Sequence, residues 1–212
     1  MKVSLNTVAK MDVGTISTRC PHCGKEGTFE RPINDVYDLS SGPQGHILGI
    51  RRCPNKICRG HLFFVMKSQK WDIFDTYPPI KIDFNSDGIP DRIRSTFEEA
   101  LTCHSNKCYI SSAIMIRRTL EEICHDRGAS GNNLKQKIAS LRDIVILPEE
   151  LLDAADDLRL LGNDAAHIES NEFSQISDSE VNISIILTKE IIKAIYQYKN
   201  LLSELRNLKR NS

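Results

Sequence analysis

Cys20-Pro-His-Cys23-Gly24 and Cys53-Pro-Asn-Lys-Ile-Cys58-Arg-Gly60 are the two stretches on which the architecture turns. Each carries a pair of thiols around a short turn, with proline after the first cysteine and glycine beyond the second. A turn of this kind aims backbone N–H groups at sulfur, and glycine permits the reversal. Tetrahedral coordination of a soft divalent ion needs four such donors drawn from two turns, and these pairs supply them. The spacing assigns Cys20, Cys23, Cys53 and Cys58 as ligands of one zinc ion. Four protein ligands leave no open position for water, so the metal is expected to be structural. His22 and His61 adjoin the turns as alternative ligands, and an iron–sulfur cluster is the other cofactor that four thiols admit.

Residues 24–52 separate the pairs, room for a hairpin or two and for the Ser40–Gly45 loop. The segments Gly27–Arg31, His46–Arg51 and His61–Lys67 alternate or run apolar as strands do. Residues 1–18 have no strong period and read as a short strand or a tail. The expectation is a small zinc-ribbon-like β module over residues 1–75. So small a unit has little core, and metal binding would contribute much of its folding energy.

The chain has 212 residues, 40% hydrophobic and 26% charged, ordinary values for a globular protein. No apolar run approaches the roughly 18–20 residues of a membrane span, and the first residues lack a signal-peptide core. A cytoplasmic location is therefore expected, with no membrane partner, and paired cysteines in a reducing compartment favour metal over disulfides. Net charge is zero, but no acid occurs between Leu39 and Trp71, a window holding Arg51, Arg52, Lys56, Arg59, Lys67 and Lys70. A local basic face attracts phosphate even on a neutral protein. Arg51, Arg52, Lys56 and Arg59 are the candidate contacts to RNA or DNA.

Prolines and the Asp87-Gly88 turn signal mark residues 76–90 as a linker, with Trp71, Phe74 and Tyr77 expected to pack on one neighbour. From 91 to 212 the period becomes helical. Ile93, Phe97, Ala100 and Leu101 mark a first helix ending near Ser105. A second spans Lys107–Asp126 with Ile110, Ala113, Ile114, Leu120, Ile123 and Cys124 apolar, and Leu134, Ile138 and Leu141 mark a third. Pro148 opens a fourth, running to Leu161 and stopped by Gly162-Asn163. After a polar break at Ser170–Ser179, a last helix of about thirty residues, or ~45 Å, runs from Glu180 to Lys209. Ile183, Ile186, Leu187, Ile191, Ile195, Leu202 and Leu205 line it, more apolar length than one short neighbour covers. A homodimer through the helical bundle follows. The fold class is α+β, a β module followed by an all-α bundle.

Arg159-Leu-Leu-Gly-Asn-Asp-Ala-Ala-His167 gathers Arg, Asn, Asp and His within one turn region and is the candidate chemical centre outside the cysteines. Arg117, Arg118, Glu121 and Glu122 read as paired or solvated helix charges. Cys103, His104, Cys108, Cys124 and His125 diverge on their helices and read as structural.

Phe97-Glu-Glu-Ala100, Arg117-Arg-Thr-Leu-Glu121, Leu134 with Lys137-Ile138, and Gly162-Asn-Asp-Ala-Ala-His167 together resemble the domain of unknown function 4145 (DUF4145), placed in the HEPN superfamily. The resemblance covers roughly residues 75–200, with Tyr77-Pro-Pro79 and the cysteine pairs resembling what precedes that domain. It implies a helical bundle, commonly dimeric, in prokaryotic proteins linked to defence or nucleic-acid metabolism. Many superfamily members are metal-independent ribonucleases, with an Arg-polar-x3-His motif paired across a dimer seam. Asn163 and His167 match that spacing, Gly162 stands at the arginine position, and Arg159 lies one turn earlier. His would move a proton and Arg would stabilise charge on the phosphorane.

Two readings follow. The first is a zinc-binding adaptor that contacts nucleic acid or protein through its N-terminal module and dimerises through its helices. The alternative is a ribonuclease using Arg159, Asn163 and His167, with Asp164 tuning His167.

Overall fold

In the computed structural model the described residues are 9–33, 38–40, 45–67, 73–167, 169, 173 and 175–210. They fall into two units, Met1–Asp83 and Phe84–Ser212. The class is α+β, antiparallel β structure followed by helices.

The first unit holds β1 (Ala9–Met11), β2 (Ile16–Arg19), β3 (Glu26–Phe29), β4 (Asp38–Ser40), β5 (His46–Arg52), β6 (His61–Lys67) and β7 (Ile73–Tyr77). Five form one sheet in the order β1-β4-β5-β6-β7, and β2 and β3 pair separately. The spine is β5 with β6, in register from His46 opposite Lys67 to Arg52 opposite His61. Period-two alternation divides its side chains. Ile47, Leu62, Phe64 and Met66 are buried, while Leu48, Ile50, Phe63 and Val65 take the other face. On the inner side Ile16, Ile47, Phe64 and Met66 form one cluster, and Phe29 and Leu62 join Cys20 and Cys53 in a second.

Three expectations change. The strand expected at Gly27–Arg31 begins at Glu26 and ends at Phe29, with Glu30 making an isolated bridge to Arg52. The β7 strand carries the sheet past the expected module end at residue 75, taking Thr76 and Tyr77 from the expected linker, and a bulge between Val65 and Met66 shifts its register. Tyr77, expected to be packed, is 72% exposed; Trp71 and the Phe74 side chain lie outside the described residues. So do residues 41–44 of the expected loop and residues 170–172 and 174 of the polar break before the last helix.

The second unit holds α1 (Asp91–Ser105), α2 (Tyr109–Asp126), α3 (Leu134–Leu141), α4 (Glu149–Ala166), α5 (Asp178–Ile192), a π-turn (Lys193–Gln197) and α6 (Tyr198–Arg210). Backbone angles stay right-handed helical across the π-turn, so α5 to α6 is one continuous run. Proline precedes both α1 and α4, and Asn133 caps α3 by accepting the Gln136 amide at 3.0 Å. At α5 the Glu180 carboxylate accepts the Ser177 amide at 3.0 Å, one half of a capping box. The π-turn anchors the run. Tyr196 donates to Asp126 at 2.8 Å beneath the Arg127 guanidinium, and Gln197 donates to the Asn85 carbonyl at 2.9 Å.

Helix boundaries differ from the periodic reading in two places. α2 starts at Tyr109, because Lys107 takes a positive φ of 62° and breaks the chain away from α1. α4 does not stop at Gly162-Asn163 but continues to Ala166. A Cβ at Gly162 would stand 2.4 Å from Arg117 Cβ and 3.2 Å from the Ala113 carbonyl of α2. The glycine lets two helices cross closely and ends neither of them. The apolar stripe on α5 is also rotated. Val181, Ser184, Ile185, Thr188, Ile191 and Ile192 are buried, whereas Ile183 and Ile186 are exposed. Ile110 on α2 is exposed likewise, and Ile116 takes its place in the core.

Candidate metal centre and its basic border

The two cysteine turns lie at the ends of strands. Cys20 follows β2, and Cys53 follows β5. In the first turn the Cys20 amide donates to the Lys25 carbonyl at 2.9 Å and Gly24 donates back to Cys20 at 3.0 Å. Gly24 sits at φ 70°, the left-handed geometry the reversal requires. In the second turn Cys53 donates to Gly60 at 2.8 Å and Arg59 to Asn55 at 2.9 Å. Here the left-handed position is filled by Arg59 at φ 47°, not by glycine. Gly60 serves another purpose, since a Cβ there would meet the His22 ring at 2.3 Å.

The four sulfurs all lie within 4.8 Å of one another, the pair Cys20–Cys58 at 3.7 Å and the pair Cys23–Cys53 at 3.9 Å. The His22 amide points at the Cys20 sulfur at 3.4 Å, and the Asn55 side-chain amide lies 3.9 Å from the Cys23 sulfur. Phe29 and Leu62 pack beneath. A hydrogen bond from the Lys25 backbone holds the Cys23 thiol down at about 7, whereas burial pushes Cys53 up to about 12. Crowded thiols cannot all ionise without an opposing charge, and a divalent cation supplies one. The donor set fits a metal ion, which these four cysteines could hold. Among the described residues no other group of His, Cys, Asp and Glu is placed to hold a metal ion. His22 is no ligand; its ring Nε2 meets the His61 carbonyl at 2.8 Å and struts one turn against β6.

Of the four basic candidates, three come together. Arg52, Lys56 and Arg59 line a cavity of about 210 Å³ beside Cys53 and Pro54, with Glu30 on its wall. Lys56 and Arg59 are exposed and Arg52 is half-buried. Glu30 carries no motif and arrives only through its bridge to Arg52. Arg51 is corrected. Its side chain points inward, fully buried, and grips Asp38 through two hydrogen bonds of 2.8 and 2.7 Å. Alternation along β5 dictates this, because adjacent residues take opposite faces.

The Arg159–His167 stretch does not converge. Arg159 is bound along its own helix to Asp156, at 2.6 and 3.2 Å, and holds that carboxyl below the usual range. The Arg159 carbonyl accepts from Arg117 at 3.2 Å. Asn163 lies inside α4, and its carbonyl accepts the His167 amide at 3.0 Å. His167 is exposed in extended backbone at the helix end. The Asp164 carboxylate accepts the Phe173 amide at 2.7 Å. No hydrogen bond joins Arg159 to His167. Arg117 and Arg118 pair with Glu121 and Glu122 along α2, as helix-face charges do.

Among the described residues no helix is long and apolar enough to cross a membrane. No curated protein and no solved structure matches the chain. One family profile does, described as a domain of unknown function (DUF4145), over residues 98–208. That span takes in all but the first turns of the helical unit and more than half of the sequence. The chain belongs to the DUF4145 family.

Proposed function

We propose that this protein is a zinc-stabilised adaptor that binds nucleic acid through the basic border of its cysteine centre and self-associates through its last helix. Zinc is the ion favoured by the sulfur spacing. A tetrahedron with Zn–S bonds of ~2.3 Å has edges of ~3.8 Å, and two of the sulfur pairs stand at 3.7 and 3.9 Å. All four positions would be filled by protein, which makes the ion a structural one.

The observation that carries the nucleic-acid reading is the convergence of Arg52, Lys56 and Arg59 on one cavity facing a single carboxylate, Glu30. None of the three cations is engaged in an ion pair among the described residues. Arg59 is moreover held in a left-handed conformation that costs an ordinary residue roughly 1–2 kcal/mol, and such strain gathers at functional positions. For self-association, Leu201, Leu202, Leu205 and Leu208 of α6 are each more than half exposed. Their spacing makes one apolar stripe, the pattern of a helix awaiting a second helix. A second copy of the chain supplies an identical stripe and a closed two-fold contact.

The ribonuclease alternative has no comparable support, because Arg159 is committed to Asp156 and stands apart from His167. The test is electrophoretic mobility of labelled RNA and DNA with zinc-loaded protein across a salt series. Binding that weakens with salt, and loses slope on Arg52→Ala, Lys56→Ala and Arg59→Ala, supports the adaptor. Absence of any salt-sensitive complex rejects it. RNA cleavage in the presence of chelator that disappears in His167→Ala would establish the ribonuclease instead.

A further inference from the structure

Phe63 and Tyr77 stand opposite each other across β6 and β7, 54% and 72% exposed. The register extends their face. Ile50 opposes Phe63, and Leu48 lies between Leu39 on β4 and Val65 on β6. By alternation these side chains share the side of the sheet turned away from the core. They line a groove of about 630 Å³ whose only acidic lining residue, among the described residues, is Asp75. An antiparallel sheet with one face on its core usually shows polar residues on the other. This one shows aromatic rings and branched aliphatics.

The groove does not end in a neutral rim. Arg52 lies two residues beyond Ile50 on the same side of β5, opposite His61, and is itself a wall of the basic cavity with Lys56 and Arg59. One strand therefore carries the apolar face directly into a cluster of cations. An apolar face alone would suit many partners. The cationic end selects a polyanion, and two exposed rings select one with unpaired flat groups to stack. A duplex offers phosphates but hides its bases, whereas a single strand offers both.

We propose that this sheet face binds single-stranded nucleic acid, bases stacking on Phe63 and Tyr77 while Arg52, Lys56 and Arg59 hold the phosphates. This rests on the nucleic-acid reading above, and it adds the strand state and a second contact surface. The bases gain ring-on-ring contact without any hydrogen-bond code, so binding is tolerant of sequence.

The experiment is fluorescence anisotropy with the full-length, zinc-loaded protein. Its probes are labelled oligo-dT, oligo-U and a duplex of equal length, all at one salt concentration. Single strands bind at least about tenfold more tightly than duplex. Phe63→Leu and Tyr77→Leu keep the apolar bulk but remove the ring, and each weakens single-strand binding about tenfold. Phe63→Tyr and Tyr77→Phe bind as the wild type does. Whether oligo-dT or oligo-U binds better assigns DNA or RNA, and either supports the proposal. A readout on unaltered protein accompanies these variants: ultraviolet crosslinking to oligo-U, with the crosslinked peptides falling in residues 61–67 or 73–79.

Leucine variants that bind normally while Arg52→Ala and Lys56→Ala fail would overturn this proposal and leave the basic border standing. Crosslinks confined to the helical unit would also overturn it. So would leucine variants that change only the sedimenting mass, which would make the face a contact between copies. No binding of any oligonucleotide by the wild type would remove this proposal and the broader reading together.

Discussion

Arg51 and Asp38 form a fully buried ion pair, the guanidinium bonded to both carboxylate oxygens at 2.8 and 2.7 Å. Further hydrogen bonds hold both partners in place. Arg51 donates to the Gly14 carbonyl at 2.9 Å and the Ile50 carbonyl at 2.8 Å, and Asp38 accepts the Val13 amide at 2.9 Å. The Phe64 ring lies 4.9 Å below the guanidinium. One pair thus ties the β1–β2 connection, β4 and β5 together. Removing one partner strands a buried charge, which typically costs about 3–5 kcal/mol. Arg51→Ala should lower the unfolding free energy of the first unit by that amount in a urea titration. Arg52→Ala, one residue on but facing out, should change stability by no more than about 0.5 kcal/mol.

Withdrawal of the metal should act on one unit alone. Elemental analysis is expected to find one zinc per chain, and Cys20→Ser or Cys53→Ser to lose it. Chelated protein should lose the protected amides of residues 9–67 in hydrogen exchange while the helices of the second unit keep theirs. Retention of strand protection without metal would show that Phe29 and Leu62 suffice as a core.

Gly162 offers a test of sign. Alanine in an open helix interior is favoured over glycine by about 1 kcal/mol. With Arg117 Cβ at 2.4 Å from the added methyl, Gly162→Ala should instead destabilise by about 1–3 kcal/mol. A gain in melting temperature would mean that α2 and α4 do not approach so closely.

Arg59 should separate stability from binding. Glycine accepts the left-handed angle of 47° without strain. Arg59→Gly is expected to hold or raise stability while weakening nucleic-acid binding and reducing its salt slope by about 0.7. An unchanged slope would take this cation out of the interface.

Thiol reactivity should rank by exposure and burial. Cys108 is exposed, and Cys124 is buried with its thiol pushed up to about 11 by desolvation. Iodoacetamide at pH 8 should modify Cys108 first and Cys124 only on unfolding. The fold favours the neutral Cys124 thiol. That stability is present below about pH 9 and is lost as pH rises through about 11. A Cys124→Ala variant should lack this alkaline loss.

How much was legible beforehand depends on the range of the interaction. His61–Lys67 is a short apolar run, Leu62 to Met66, between polar ends, which fixed its strand to the residue, and the α1 bounds followed from Ile93, Phe97 and Leu101 at helical spacing. Ile73–Tyr77 was hidden because Tyr77-Pro-Pro79 reads as linker, although its pairing partner β6 ends only at Lys67. At the site, the cysteine pairs were legible because metal spacing is a local rule. The inward turn of Arg51 and the entry of Glu30 were not, since strand parity depends on which face finds the core.

The sequence by itself determined that four cysteines on two turns precede a run of amphipathic helices, because turn chemistry and hydrophobic period act between near neighbours. Only the tertiary structure decided that Arg51 is internal, that Gly162 is a crossing point, and that Glu30 reaches Arg52. Those outcomes depend on which surfaces meet, and residues far apart in the chain meet only when the packed whole brings them together.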